Sequence, residues 1–114
     1  LVIPSSVTEI GAYQFAGFSF IEEVIFPETV ISIGEYAFSN CTKITDLIIP
    51  DGVTTIGEGA FSDCISLTNI VIPDSVTYIG EDVFSGCENL TIKGSAGSEA
   101  ENYANVCGMS FEEI

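Results

Sequence analysis

The sequence predicts an α/β solenoid. It would be a right-handed coil with short parallel strands on the concave face, 3₁₀ or turn segments on the convex face, and a C-terminal helix-and-strand cap. Three observations carry this. Prolines fall at Pro4, Pro27, Pro50 and Pro73 and nowhere else, Ile-Gly pairs at 10–11, 33–34, 56–57 and 79–80, and Phe15, Phe38, Phe61 and Phe84 keep the same 23-residue step. Such a period is the signature of a stacked-repeat architecture. One unit is too short to bury its own apolar side, whereas stacked copies can do so. The last stretch, residues 93–114, leaves the period and reads as a helix followed by a strand.

Each unit divides into an extended half and a returning half. In residues 47–69, "LIIP" is a short apolar run with Leu47 and Ile49 on one side and Ile48 on the other. Pro50 closes it, because proline cannot donate a ladder hydrogen bond. Val53, Ile56, Ala60, Cys64 and Leu67 then recur every three or four residues, a helix-like or 3₁₀ spacing that turns all of them inward. Gly57 interrupts this run, as do Gly11, Gly34 and Gly80 in their own units, which suits a bend with positive φ or a close backbone approach. Stacking at the usual strand separation of about 4.8 Å turns each apolar position into a ladder.

Four such units cover residues 1–92, and residues 24–46 and 47–69 agree at 11 of 23 positions. The first unit departs at Gln14 and Phe18, where the others have Ala or Val and Cys. The fourth runs from Cys87 straight into "NLTI", about three residues short, so repetition is expected to stop there. Residues 93–114 are read as the cap that covers the open end of the stack. Ser98 and Glu101 form a capping-box pattern. Ala100, Tyr103, Ala104 and Cys107 follow i, i+3, i+4, i+7 on one apolar helix face, and Gly108 suits the position after the helix. Met109 and Phe111 alternate inward on a final strand. No comparable segment precedes Leu1, so the N-terminal face is expected either to be covered by further repeats of a longer chain or to support self-association.

The repeated positions, carried for example by Ile44, Leu47, Ile49, Pro50, Val53, Ile56, Gly57, Ala60, Phe61 and Cys64, resemble the BspA-like leucine-rich repeat family over residues 1–92. The resemblance implies a leucine-rich-repeat coil and a non-catalytic protein-binding or adhesion module of a larger secreted or cell-surface microbial protein. It also implies a protein partner such as a host extracellular-matrix or cell-surface protein. The alternative is a structural spacer that presents other domains and has no ligand of its own.

Cys41, Cys64 and Cys87 share one repeat position, filled by Phe18 in the first unit. A slot that takes either Cys or Phe is a buried apolar one, so the thiols are read as core residues. Bridges between neighbouring rungs are disfavoured by nearly parallel Cβ vectors. A Cys87–Cys107 bridge remains the alternative; without it, all four thiols are expected to react slowly. A spacing of 23 residues does not match a zinc finger, and with no histidine in the chain no base is present to activate a nucleophilic cysteine.

Composition narrows the function classes further. Of the 114 residues, 17 are Asp or Glu and 2 are Lys or Arg, for a net charge of −15. Nucleic acid and anionic lipid both recruit basic patches, so neither is expected as a partner. No run of residues has the length of a membrane span, and membrane insertion is not expected. No enzyme activity, cofactor or metal site is expected. The Glu28, Asp51, Asp74 and Glu35, Glu58, Glu81 ladders read as solvated faces, with calcium the alternative. The candidate ligand-binding surface is the outward side of the strands. It comprises Val2, Ile25, Ile48 and Val71, flanked by Glu23, Asp46 and Asn69. An exposed apolar stripe marks a contact site, while a β-branched ladder also serves strand pairing alone.

Overall fold

The computed structural model describes residues 1–114. Two parallel sheets run along a coil. The first joins β1 (Glu9–Ile10), β2 (Ser32–Ile33), β4 (Thr55–Ile56) and β6 (Tyr78–Ile79) in that order. The second joins β3 (Asp46–Ile48), β5 (Asn69–Val71), β7 (Thr91–Gly94) and β8 (Ser110–Glu113), and α1 (Glu99–Cys107) lies between its last two strands in the chain. An isolated parallel bridge between Val2 and Ile25 lies on the same, concave side toward the N-terminus and is not joined to this sheet.

The period becomes register directly. Ile10 pairs with Ile33, Ile33 with Ile56, and Ile56 with Ile79, and all four are buried. Leu47 pairs with Ile70 and Ile70 with Ile92, again all buried. The repeat phenylalanines stack face to face, with ring centroids 5.2, 5.5 and 6.0 Å apart from Phe15 to Phe84. Offset stacking of this kind adds to the burial of large apolar area. Cys41, Cys64 and Cys87 lie in the core as free thiols, and each Sγ–H donates at 3.2 Å to the carbonyl of the preceding unit's phenylalanine, Phe15, Phe38 and Phe61. Phe18, on the outermost rung, is 40% exposed.

The returning half contains turns and two-residue strands; no 3₁₀ helix forms. The repeat glycines serve close approach. A Cβ on Gly34, Gly57 or Gly80 would come within 2.6–2.8 Å of backbone atoms of the preceding unit. The positive-φ positions lie two residues later, at Tyr13, Tyr36, Gly59 and Asp82, and again at Gly17, Asn40, Asp63 and Gly86. Gly, Asn and Asp tolerate the left-handed region best; the tyrosines are held there by the ladder bonds Tyr13 N–H to Glu35 C=O (3.0 Å) and Tyr36 N–H to Glu58 C=O (2.8 Å).

The C-terminal end forms as a helix and a strand. Ser98 Oγ accepts from the Glu101 N–H (3.3 Å), Glu101 Oε1 accepts from the Gly97 N–H (2.8 Å), and Gly108 ends the helix at φ 68°. Ala100 and Ala104 are buried and Tyr103 is half-buried, its ring edge-on to Phe84 and its hydroxyl accepting from the Val83 N–H. Cys107, expected on the same apolar face, is exposed and free, so neither the Cys87–Cys107 bridge nor four equivalent slow thiols is found. Ala100 and Ala104 meet the core, whereas Val106 and Cys107 in the last turn are exposed. The fourth unit also differs from expectation. The chain after Cys87 is short by one residue, since Asn69 pairs with Thr91, and β7 forms as a full rung across residue 92.

Candidate functional site

The outward positions of the concave sheet give the candidate surface. Val2 is 70%, Ile25 52% and Ile48 70% exposed, and Val71 is half-buried. The strand period causes this: Ile3, Leu47, Ile49, Ile70 and Ile72 point into the core, so the residues between them face out. Register then carries the line from Val71 to Lys93 and Glu112, whose Nζ and Oε2 lie 3.5 Å apart. The apolar stripe thus ends in an ion pair between a half-buried Lys93 and an exposed Glu112. Sequence reasoning missed Lys93 because the one-residue shortening moves it into the ladder; counting 22 residues from Val71 would have found it.

Along the flank, the Asn69 Nδ2–H donates to Asp46 Oδ1 at 2.9 Å, so one amide bridges two rungs. Thr68 adds a bond from its hydroxyl to the Thr45 carbonyl (3.2 Å). Glu23 occupies the same position one unit earlier and is exposed, with no side-chain partner on Asp46.

Here the ladder breaks. Ile3 N–H donates to Ile25 C=O and Ile25 N–H to Leu1 C=O; further on, Ile49 N–H donates to Val71 C=O. Between residues 22–26 and 45–49 no backbone hydrogen bond forms. A cleft of about 520 Å³ opens there, and its walls include Val24, Phe26, Ile48, Glu22, Glu28 and Asp46. Two local features distinguish these rungs from the paired ones. Phe26 stands where Ile3, Ile49 and Ile72 stand in the other units, and its ring turns edge-on to Phe38 (5.7 Å, 79°). Glu23 and Asp46 also bring like charges into line; at about 5 Å these repel by roughly 0.8 kcal/mol in water. The odd Phe26 was visible in the sequence, but its effect on pairing was not.

The chemistry available is recognition. Burial pushes the Cys41 thiol up, and holds Cys64 up at about 12 and Cys87 at about 11, the reverse of an activated nucleophile. The neighbouring Glu58 charge raises the Tyr36 hydroxyl, which donates to Glu58 Oε2 at 3.4 Å. The exposed Tyr13 and Tyr36 rings stack at 5.2 Å. No three Cys, Asp or Glu side chains converge as a ligand set for a metal ion. No helix is long and apolar enough to cross a membrane.

The family described as BspA type leucine rich repeat region matches residues 1–103, in 6 copies. A leucine-rich repeat protein from Bacteroides ovatus is 33% identical over 94% of this chain and 28% of its own, with a TM-score of 0.82. A leucine rich cell surface protein from Faecalibacterium prausnitzii is 30% identical over 90% of this chain and 33% of its own, with a TM-score of 0.66. The pneumococcal vaccine antigen PcpA, 17% identical with a TM-score of 0.73, shares the fold over 99% of this chain and 34% of its own. The chain therefore spans about a third or less of the length of these proteins. No curated protein matches.

Proposed function

Because the chain belongs to the BspA-type leucine-rich repeat family, we propose that it is a protein-binding and adhesion module of a secreted or cell-surface bacterial protein, acting through its concave sheet. The family and fold are typically non-catalytic, and the raised thiols agree with a non-catalytic role. The observation that carries the reading is the line of Val2, Ile25 and Ile48, each at least half exposed, with Glu23 and Asp46 beside it. Large apolar side chains held outward on a rigid sheet favour a partner that covers them. The flanking carboxylates set its sign of charge. The partner class is a host extracellular-matrix or cell-surface protein. The F. prausnitzii protein named for the cell surface supports the location.

The test is binding to a panel of extracellular-matrix proteins and glycans, comparing the wild type with Ile25→Lys/Ile48→Lys. The double variant keeps Leu47 and Ile49 in the core and is expected to stay folded by circular dichroism. Loss of panel binding in the folded variant supports the recognition surface. If the wild type binds no member of the panel, the spacer reading takes its place.

A further inference from the structure

Resting on that reading of the concave sheet, we propose that the cleft between its second and third rungs is a docking site for an extended, cationic peptide segment of a partner protein. Main-chain pairing to the open edge and ion pairing to the cleft carboxylates would hold it.

The first observation is the open edge. In the third and fourth rungs, Leu47 C=O and Ile49 N–H face Val71 and are bonded across. The same register directs Ile48 N–H and C=O toward the second rung, and Val24 C=O and Phe26 N–H toward the third. None of these four groups has a partner in the protein. Unpaired strand groups inside a sheet invite an added strand.

The second observation is the wall. Apolar Val24, Phe26 and Ile48 line the cleft together with Glu22, Glu28 and Asp46. Asp46 is engaged by Asn69 and Thr45, whereas Glu22 and Glu28 make no ion pair. An alternating chain of apolar and basic residues matches this lining, because strand side chains alternate in direction. A second copy of this protein is the poorer occupant, since each copy carries −15.

The test uses a fluorescent hexapeptide alternating lysine and valine, read by anisotropy. Two peptide controls are its glutamate counterpart and a version N-methylated at alternate amides. Phe26→Ile restores the side chain used in the other units without changing charge. It is expected to close the gap, to slow amide exchange at Phe26 and Ile48, and to weaken the lysine peptide by at least about tenfold. N-methylation is expected to cost a similar factor. Glu22→Gln/Glu28→Gln is expected to weaken binding and flatten its salt dependence. Equal binding by wild type and Phe26→Ile, or by methylated and unmethylated peptide, would mean nonspecific attraction to an acidic surface and would overturn the site. So would no binding by the wild type. Matrix-panel binding that persists while the peptide fails overturns the cleft and leaves the broader reading standing. Peptide binding by a wild type that binds no member of the panel overturns only that reading.

Discussion

The two faces of the coil treat the same repeat differently. On the turn side, hydrogen bonds step without interruption from unit to unit: Gly34 N–H to Ile10 C=O, Gly57 to Ile33 and Gly80 to Ile56, each at 2.8 Å. On the concave side the ladder is broken once, between residues 22–26 and 45–49. The turn side admits little variation because glycine backbones lie against each other there and phenylalanines fill the space beneath. The strand side has one face open to solvent, where Glu23, Asp46 and Asn69 can differ without filling or emptying the core. Rigidity is therefore written in the returning half of each unit, and individuality in the extended half.

The sharpest way to break this contrast is to remove the middle of the aromatic stack. Phe61 is fully buried between Phe38 and Phe84. Phe61→Ala is expected to cost about 3–5 kcal/mol. Phe15→Ala, at a half-buried ring stacked on Phe38 from one side, should cost clearly less. Urea denaturation of both variants measures the difference, and equal losses would contradict a stack that tightens inward.

Next in size is the glycine ladder. Gly57→Ala drives a Cβ to 2.6 Å from the Glu35 backbone nitrogen and is expected to destabilise by about 1–3 kcal/mol. At Gly11 the nearest atom is the Gln14 side-chain oxygen at 3.4 Å, so Gly11→Ala should be close to neutral or slightly stabilising. The same melts decide it: a large loss at Gly11 would mean that conformation, and not close approach, requires glycine.

A pH series separates the buried thiols from the exposed one. Burial raises Cys64 from an ordinary value of 9.0 to about 12 and Cys87 to about 11. Above pH 9 the unfolded chain gives up these protons while the folded chain keeps them, so the unfolded state binds fewer protons and stability falls as pH rises. The contribution is complete below pH 9 and is lost between there and about 12 for Cys64. Unfolding free energies at about pH 7.5 and about pH 10.5 should show this decline, with a shallower decline in Cys64→Ala. In the native protein at neutral pH, a thiol reagent should label Cys107 quickly and the other three slowly. Four equally slow thiols would contradict the exposed helix end.

Most of the fold was legible because the 23-residue period forces register. Once Leu47 is placed inward, Ile70 follows, and the outward stripe of Ile48 and Val71 follows from strand alternation. The helix ends were legible from Ser98, Glu101 and Gly108, which act locally. What the sequence hid depends on the separation between rungs. The extra sheet of β1, β2, β4 and β6 arises from residues whose spacing resembled a helical turn. The opening at Phe26 coincides with a larger ring and with Glu23 and Asp46 at one ladder position, a combination that no single unit encodes. Cys107 matched the helix period yet is exposed, because periodicity gives direction and not the extent of the surface it meets.

The smallest expected effect tests the electrostatic half of that opening. Across the third and fourth rungs, the neutral Asn69 amide donates to Asp46 at 2.9 Å; across the second and third, Glu23 faces the same Asp46 without a donor. Asn69→Asp would copy the second arrangement into the first. It removes the two exposed bonds that the amide donates, to Asp46 Oδ1 and to Thr68 Oγ1, and adds a like charge, for a loss of about 0.2–1 kcal/mol. The charge part should shrink as salt rises, because the pair is exposed. Glu23→Asn is the converse. It removes the like charge and supplies an amide of the type that bridges the later rungs, so it should stabilise slightly and slow exchange at the Ile48 amide. It leaves Phe26 in place, so the slowing should be weaker than in Phe26→Ile. If Glu23→Asn alone gave the full protection of Phe26→Ile, charge and not ring size would hold the rungs apart. No protection from Glu23→Asn would assign the opening to the ring.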